Sequence, residues 1–247
     1  MVRREDRRAL VTGGGIRVGR AVALALGAAG YRVAVHYHRD REAAERTARQ
    51  TSAPGRDGVA IGADLLRPEA AAALVGEAAA ALGGLDLLVN SAAIFPRARP
   101  EDVTVEAWDR VFALNARAAF LCSREAASIM EPGGSIVNVA DVAAFEGWPA
   151  YAPYAASKAA LVSLTRSLAL AWAPRIRVNA VAPGPVLLPE GTDEEGRRRA
   201  ASSTALGRIG RAEDVAEAVL YLDGAGFVTG EVLRVDGGEH LRRSQER

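Results

Sequence analysis

Only one of the 247 residues is cysteine, Cys122, so no disulfide can form within the chain, and that usage suits a reducing cytoplasm. Lysine is equally rare: Lys158 stands alone where positive charge is otherwise arginine. Asparagine occurs at Asn90, Asn115, Asn138 and Asn179 only. No apolar run approaches the ~20 residues of a membrane span. The first residues, MVRREDRRALVTGGG, run from charge straight into an apolar strand, so neither a membrane partner nor a secretory signal is expected. With a net charge of +1 there is no basic excess to form a nucleic-acid face. A chain of this length, 49% hydrophobic, fits one large α/β domain or two small ones. It can bury roughly three quarters of its unfolded surface, so no structural metal is required.

Short apolar runs alternate with longer Ala/Leu/Glu/Arg-rich stretches. Strands are expected at 9–12, 31–37, 58–63, 85–90, 134–140, 175–183 and 231–236, and helices near 17–29, 41–51, 68–82, 105–130, 151–173 and 212–222. Apolar runs without strict alternation read as strands buried on both faces. Strands alternating with helices imply a parallel sheet with right-handed crossovers. The expectation is one doubly wound α/β domain over residues 1–247, with a seven-stranded parallel sheet and helices on both faces. Residues 184–206 are polar and punctuated by Pro and Gly, and they follow the ligand-binding end of a strand. They are expected to form a lid over a substrate.

A glycine-rich turn, Thr12-Gly13-Gly14-Gly15-Ile16-Arg17-Val18-Gly19, joins the first strand to the first helix. Glycines let backbone approach a phosphate, and the helix start offers N–H groups and a positive dipole end. In a Rossmann-type sheet, the residue ending strand two faces the adenosine ribose; an acid there favours NAD, and basic groups accommodate the 2′-phosphate of NADP. Here the strand ends His36-Tyr37-His38-Arg39, with Asp40 set to cap the next helix. NADP(H) is therefore the expected cofactor, its 2′-phosphate near Arg17, His38 and Arg39. His36 and His38 lack a third ligand at a sensible spacing, so no metal site is expected.

Tyr154 and Lys158 lie at i and i+4 and share one helix face. A neighbouring ammonium favours the phenolate and lowers the phenol's pKa toward useful proton transfer. Tyr151 has alanine at i+4.

The glycine turn resembles the TGxxxGxG fingerprint of the short-chain dehydrogenase/reductase family, with Arg17 at the middle glycine, and Tyr154 with Lys158 resembles its YxxxK motif. The resemblance covers essentially the full chain and places all four asparagines in family motifs. It implies that Asn115 supports a proton-relay water and that Asn90, in LVNSAA, belongs to the motif after strand four with Ser91 and Ala92. It further implies cofactor contacts from Gly13, Val18, Tyr37 and His36. Asp64 resembles the acid that bonds the adenine, with Leu65 beside it. Pro183 and Gly184 resemble the turn over the nicotinamide, with Val186 following. The usual threonine beyond that turn is absent.

Most members of the family carry serine about thirteen residues before the tyrosine; this chain has Asp141. Together with TGGGIRVG and HYHRD, this resembles the pteridine reductase branch, and Phe95 matches its ring-stacking aromatic, although Ala93 replaces a serine often found there. The resemblance implies a cytoplasmic homotetramer that transfers hydride from NADPH to a pterin. Tyr154 is the expected acid, Lys158 holds the ribose, Asp141 and Phe95 contact substrate, and Asn115 supports the relay. A 3-oxoacyl-thioester or other ketone reductase is the first alternative, and a non-catalytic NADPH-binding sensor the second.

Overall fold

In a computed structural model, described for residues 7–53, 57–189 and 191–243, alternate residues of each strand serve opposite faces of one sheet. Ala9, Val11, Val33, Val35, Leu87, Val89 and Val137 join one core, and Leu10, Ala34, Leu88 and Ile136 join the other. That two-sided burial explains the unbroken apolar runs. The strands are β1 (Arg8–Thr12), β2 (Arg32–Tyr37), β3 (Val59–Gly62), β4 (Leu87–Asn90), β5 (Gly134–Val139), β6 (Ile176–Pro183) and β7 (Val232–Val235). All pair in parallel, in the order β3-β2-β1-β4-β5-β6-β7.

Helices α1 (Arg17–Ala28), α2 (Arg41–Thr51) and α3 (Pro68–Leu82) follow the first three strands. The expected helix at 105–130 is broken into α4 (Val105–Phe112), a π-helical turn (Ala113–Ala118) and α5 (Ala119–Ile129). Then come α6 (Ala152–Trp172), α7 (Glu194–Ser203), α8 (Ala212–Gly224) and α9 (Glu239–Arg243). One core packs α1, through Val22 and Leu26, with α8, through Val215, Val219 and Leu222. The other packs α3, α5 and α6 through Leu74, Leu82, Cys122 and Leu168. Burying each such Leu or Val side chain contributes roughly 1.5–3 kcal/mol, and this fixes the strand ends in one row.

The strand order reverses between β1 and β4, where doubly wound sheets open a crevice. Thr12 pins this point: its hydroxyl accepts from the Ser91 and Ala92 N–H groups at 2.9 and 3.1 Å. The expected lid, 184–206, is not wholly irregular. It contains α7, started by Asp193, whose carboxylate accepts from the Gly196 N–H at 2.7 Å, and no residue of that helix is buried.

Candidate active site

A cavity of about 940 Å³ runs along the C-terminal edge of the sheet, from the end of β2 to Tyr154 and out under residues 185–189. Gly13 has φ +64° and lies so close to the loop after β4 that a Cβ would sit 3.1 Å from the Ala92 Cα. A Cβ on Gly19 would meet the Gly13 carbonyl oxygen at 2.2 Å, so α1 can start this close to the turn only with glycine there. No side chain caps α1, which leaves its first-turn N–H groups for a ligand. Arg17 adopts φ +50°, a left-handed backbone that costs a residue with a Cβ about 1–3 kcal/mol. Its guanidinium donates 2.8 Å to the Leu187 carbonyl and so joins the glycine turn to the lid segment.

At the end of β2 the basic groups divide. His38 and Arg39 line the cavity, and His38 Nε2 lies 3.8 Å from the Asp64 carboxylate. Asp40 caps α2 by accepting from the Ala43 N–H at 2.9 Å. His36, grouped with the basic cluster in the sequence, is no phosphate-binding cation. It is buried within β2, and its Nδ1 accepts from the Gly13 N–H at 3.0 Å. Nε2 therefore carries the proton and donates to the Ala63 carbonyl at 3.1 Å. Burial pushes its pKa down to about 4. The neutral ring braces the glycine turn against the end of β3.

His36 predicts an acid sensitivity. Its folded pKa lies below the ordinary value of 6.5, so the unfolded chain takes up the proton first. Stability is complete above pH 6.5 and is lost as pH falls toward 4, by roughly 2–3 kcal/mol at pH 4.5. Urea unfolding at pH 7 and pH 4.5 should show this loss shrinking by about that amount in His36→Gln, which keeps an acceptor and a donor without titrating. An equal loss in parent and variant contradicts it.

The reacting end is built by β5 and α6. Tyr154 donates its hydroxyl to Asp141 Oδ2 at 2.7 Å. Asp141 Oδ1 accepts from the Ala143 N–H at 2.9 Å, so one carboxylate both caps the 3₁₀ turn Val142–Phe145 and orients the phenol. Burial first, and then the charge and hydrogen bond of Asp141, hold the Tyr154 pKa well above 10. Burial likewise raises Asp141 above the ordinary carboxylate value. This reverses the sequence-based expectation that a neighbouring ammonium would lower the tyrosine pKa. Lys158 lies 5.7 Å from the centroid of the Tyr154 ring, and its Nζ donates to the Val139 carbonyl at 2.7 Å. Burial lowers its pKa to about 8, against the favourable charge of Asp141. Tyr154 is thus held as a neutral acid.

Asn115 lies in the π-helical turn, a deviation frequent at functional sites. Its amide accepts from the Ile94 N–H at 2.9 Å and donates to the Ile94 carbonyl and Ser157 Oγ at 3.0 and 3.1 Å. Asn115 does not line the cavity; it ties the loop before Phe95 to α6. Asn90, expected at the cofactor, is also off the cavity. It faces Asn138 across β4 and β5 and donates to Asn138 Oδ1 at 2.8 Å and Ser123 Oγ at 2.9 Å. Gly13, Val18, Tyr37, Leu65, Ser91, Ala92, Pro183, Gly184 and Val186 all line the cavity.

Phe95 is 44% exposed and lines the cavity beside Tyr154. Its ring stacks on Tyr151 (centroids 4.2 Å apart, planes within 1°) and meets Tyr154 edge-on at 4.4 Å. Trp148 closes the group at 6.3 Å from Phe95 and 6.1 Å from Tyr151. Trp148 and the support from Tyr151 were not expected from sequence. The aromatic spacing W-x-x-Y-x-x-Y ahead of α6 was the available signal. Among the described residues no group of three or more His, Cys, Asp or Glu could hold a metal, and no helix is long and apolar enough to cross a membrane.

A glycine cradle, an uncapped helix start and the basic side chains Arg17, His38 and Arg39 along one cavity fit a phosphorylated dinucleotide. Comparison with known proteins agrees with this architecture. A family model described as enoyl-(acyl carrier protein) reductase matches residues 15–240. Versicolorin reductase 1 of Aspergillus parasiticus is 40% identical over 93% of this chain and 95% of its own length. A 3-oxoacyl-(acyl-carrier-protein) reductase of Staphylococcus aureus is 35% identical over 94% and 98%. A short-chain dehydrogenase from Burkholderia cenocepacia, solved in complex with NADP, superposes with a TM-score of 0.91 at 36% identity, covering 96% of this chain and 99% of that one. With its Tyr154–Lys158 pair at the open end of a seven-stranded parallel sheet, the chain belongs to the short-chain dehydrogenase/reductase family of oxidoreductases.

Proposed function

We propose that this oxidoreductase is an NADPH-dependent pterin reductase. The observation that carries the reading is the 2.7 Å hydrogen bond from Tyr154 to the half-buried carboxyl of Asp141, beside the exposed Phe95 ring. NADPH would supply the hydride. Arg17, His38 and Arg39 would bind its 2′-phosphate, the Gly13–Gly19 turn its pyrophosphate, and Asp64 with Leu65 its adenine. Tyr154 and Lys158 would hold the nicotinamide ribose, and Pro183, Gly184 and Val186 would flank the nicotinamide.

A flat ring system suits Phe95, whose plane is set by Tyr151 behind it. Reducing a ring C=N bond puts hydride on carbon and requires a proton on nitrogen. Tyr154 donates to Asp141, so the phenol holds the proton that would pass to that nitrogen, the carboxylate would steady its orientation, and solvent would return the proton afterwards. A ketone instead develops negative charge on oxygen, which a carboxylate at this distance would oppose. The named activities of the relatives, versicolorin reductase and 3-oxoacyl-(acyl-carrier-protein) reductase, favour a carbonyl reductase as the second reading. We further read the enzyme as cytoplasmic, with its one thiol buried, and as a homotetramer that would cover apolar side chains such as Leu170 and Phe227.

Asp141→Ser separates the two readings. A serine hydroxyl can hold a ketone oxygen but cannot steady the phenol as a carboxylate does. Steady-state kinetics should show dihydropterin reduction falling by about 10²-fold or more, while acetoacetyl-thioester reduction stays level or improves. No change with either substrate makes Asp141 a structural cap and removes the pterin reading.

A further inference from the structure

The charged groups at the adenosine end and around Tyr154 have the roles given above. Two more cations line the same cavity, Arg110 in the last turn of α4 and Arg199 on α7. The same cavity is also lined by the apolar side chains Ile94, Phe95, Leu114, Trp148, Leu187 and Leu188. The Arg110 guanidinium has no hydrogen-bond or ion-pair partner among the described residues. Among the described residues the Arg199 side chain pairs only with Glu195, one turn earlier, at 2.5 Å, and both side chains are well exposed. An exposed i,i+4 pair contributes little and is readily given up for a ligand. Ala200 and Ser203 line the cavity with Arg199, so one face of α7 is turned to it.

We propose that Arg110 and Arg199 form an anion subsite at the substrate end of the cavity, and that the substrate carries a carboxylate or phosphate on the side remote from its reacting bond. The inference deepens the reductase reading and rests on it. A guanidinium matches both oxyanions, and neither arginine has a buried partner to satisfy. Because α7 belongs to the 184–206 segment, the subsite would also make closure of that segment depend on the charged end of the substrate.

The test is isothermal titration of the NADP⁺-loaded protein with two matched pairs of compounds. Dihydrofolate, with its carboxylates, is set against uncharged dihydrobiopterin, and acetoacetyl-coenzyme A, with its phosphates, against acetoacetyl-N-acetylcysteamine. The charged member of the pair that binds should be at least tenfold tighter than its neutral counterpart, and high salt should reduce that ratio. Arg110→Ala and Arg199→Ala should each cut the ratio by about tenfold, the ordinary value of a charged hydrogen bond. Both positions are exposed, and unchanged thermal melts would show that the variants fold. Binding by the thioester pair alone, with the ratio intact, rejects the pterin reading and supports the subsite. Dihydropterin binding with a ratio near one does the reverse. A ratio that the variants do not alter, or no binding by either charged compound, overturns the proposal.

Discussion

Tyr154→Phe is expected to lower kcat by about 10²–10⁴-fold, the usual contribution of a positioned acid, while NADPH binding is retained. The phenyl ring keeps the edge contact with Phe95 and the packing of α6. What disappears is the hydroxyl and its bond to Asp141. The carboxyl retains the Ala143 N–H but loses its second partner, so folding stability should drop by only about 1–3 kcal/mol. Stopped-flow hydride transfer, NADPH titration and calorimetry would separate these effects. A variant keeping most of its kcat contradicts the assignment of Tyr154 as the acid.

Lys158→Met should lose activity by a similar or larger factor and change stability little. Lys158 is buried, and its lowered pKa of about 8 means that the folded state holds a charge that water would hold better. Removing it at pH 7 relieves up to about 3 kcal/mol of that cost. The Val139 carbonyl then loses its donor, which costs about 1–3 kcal/mol. The two terms nearly cancel, so a shift within ~2 kcal/mol is expected, with the parent gaining on the variant as pH rises past 8 and the folded-state lysine neutralises. Nucleotide affinity should fall as well, since the ammonium is assigned to the ribose. Lys158→Arg cannot substitute, because the larger planar fork does not fit a site closed around one amine. An active Lys158→Met enzyme contradicts the role; a melting point lowered by tens of degrees would make the residue structural.

The sheet was legible because its central strands are buried on both faces, so apolar runs such as ALVT and LDLLVN stand out from helical segments. The glycine turn and the Tyr154–Lys158 pair were legible because local spacing alone specifies them. Five features were not. Helix α7 buries nothing, so it has no apolar period to read, and only Asp193-Glu194-Glu195 announces its start. The π-helical turn at Asn115 leaves no mark in a helical composition. His36 looked like one of three basic residues, but it lies inside β2 while His38 lies beyond it, and that two-residue difference separates a buried neutral brace from a side chain that lines the cavity. The state of Tyr154 depends first on its burial and then on Asp141, thirteen residues away on another element, and both are tertiary effects that keep the phenol neutral. Asn90 and Asn138 occupy family motifs, yet their side chains join strands β4 and β5 and, through Thr165, α6.

The most direct test is the initial rate of NADPH oxidation by the unmodified protein with a dihydropterin and, separately, with an acetoacetyl thioester, each repeated with NADH. The account predicts kcat/KM at least tenfold higher for the dihydropterin, and a preference for NADPH of about ten- to a hundredfold from each good arginine contact to the 2′-phosphate. Faster reduction of the thioester than of any dihydropterin, or equal use of NADH, would contradict it.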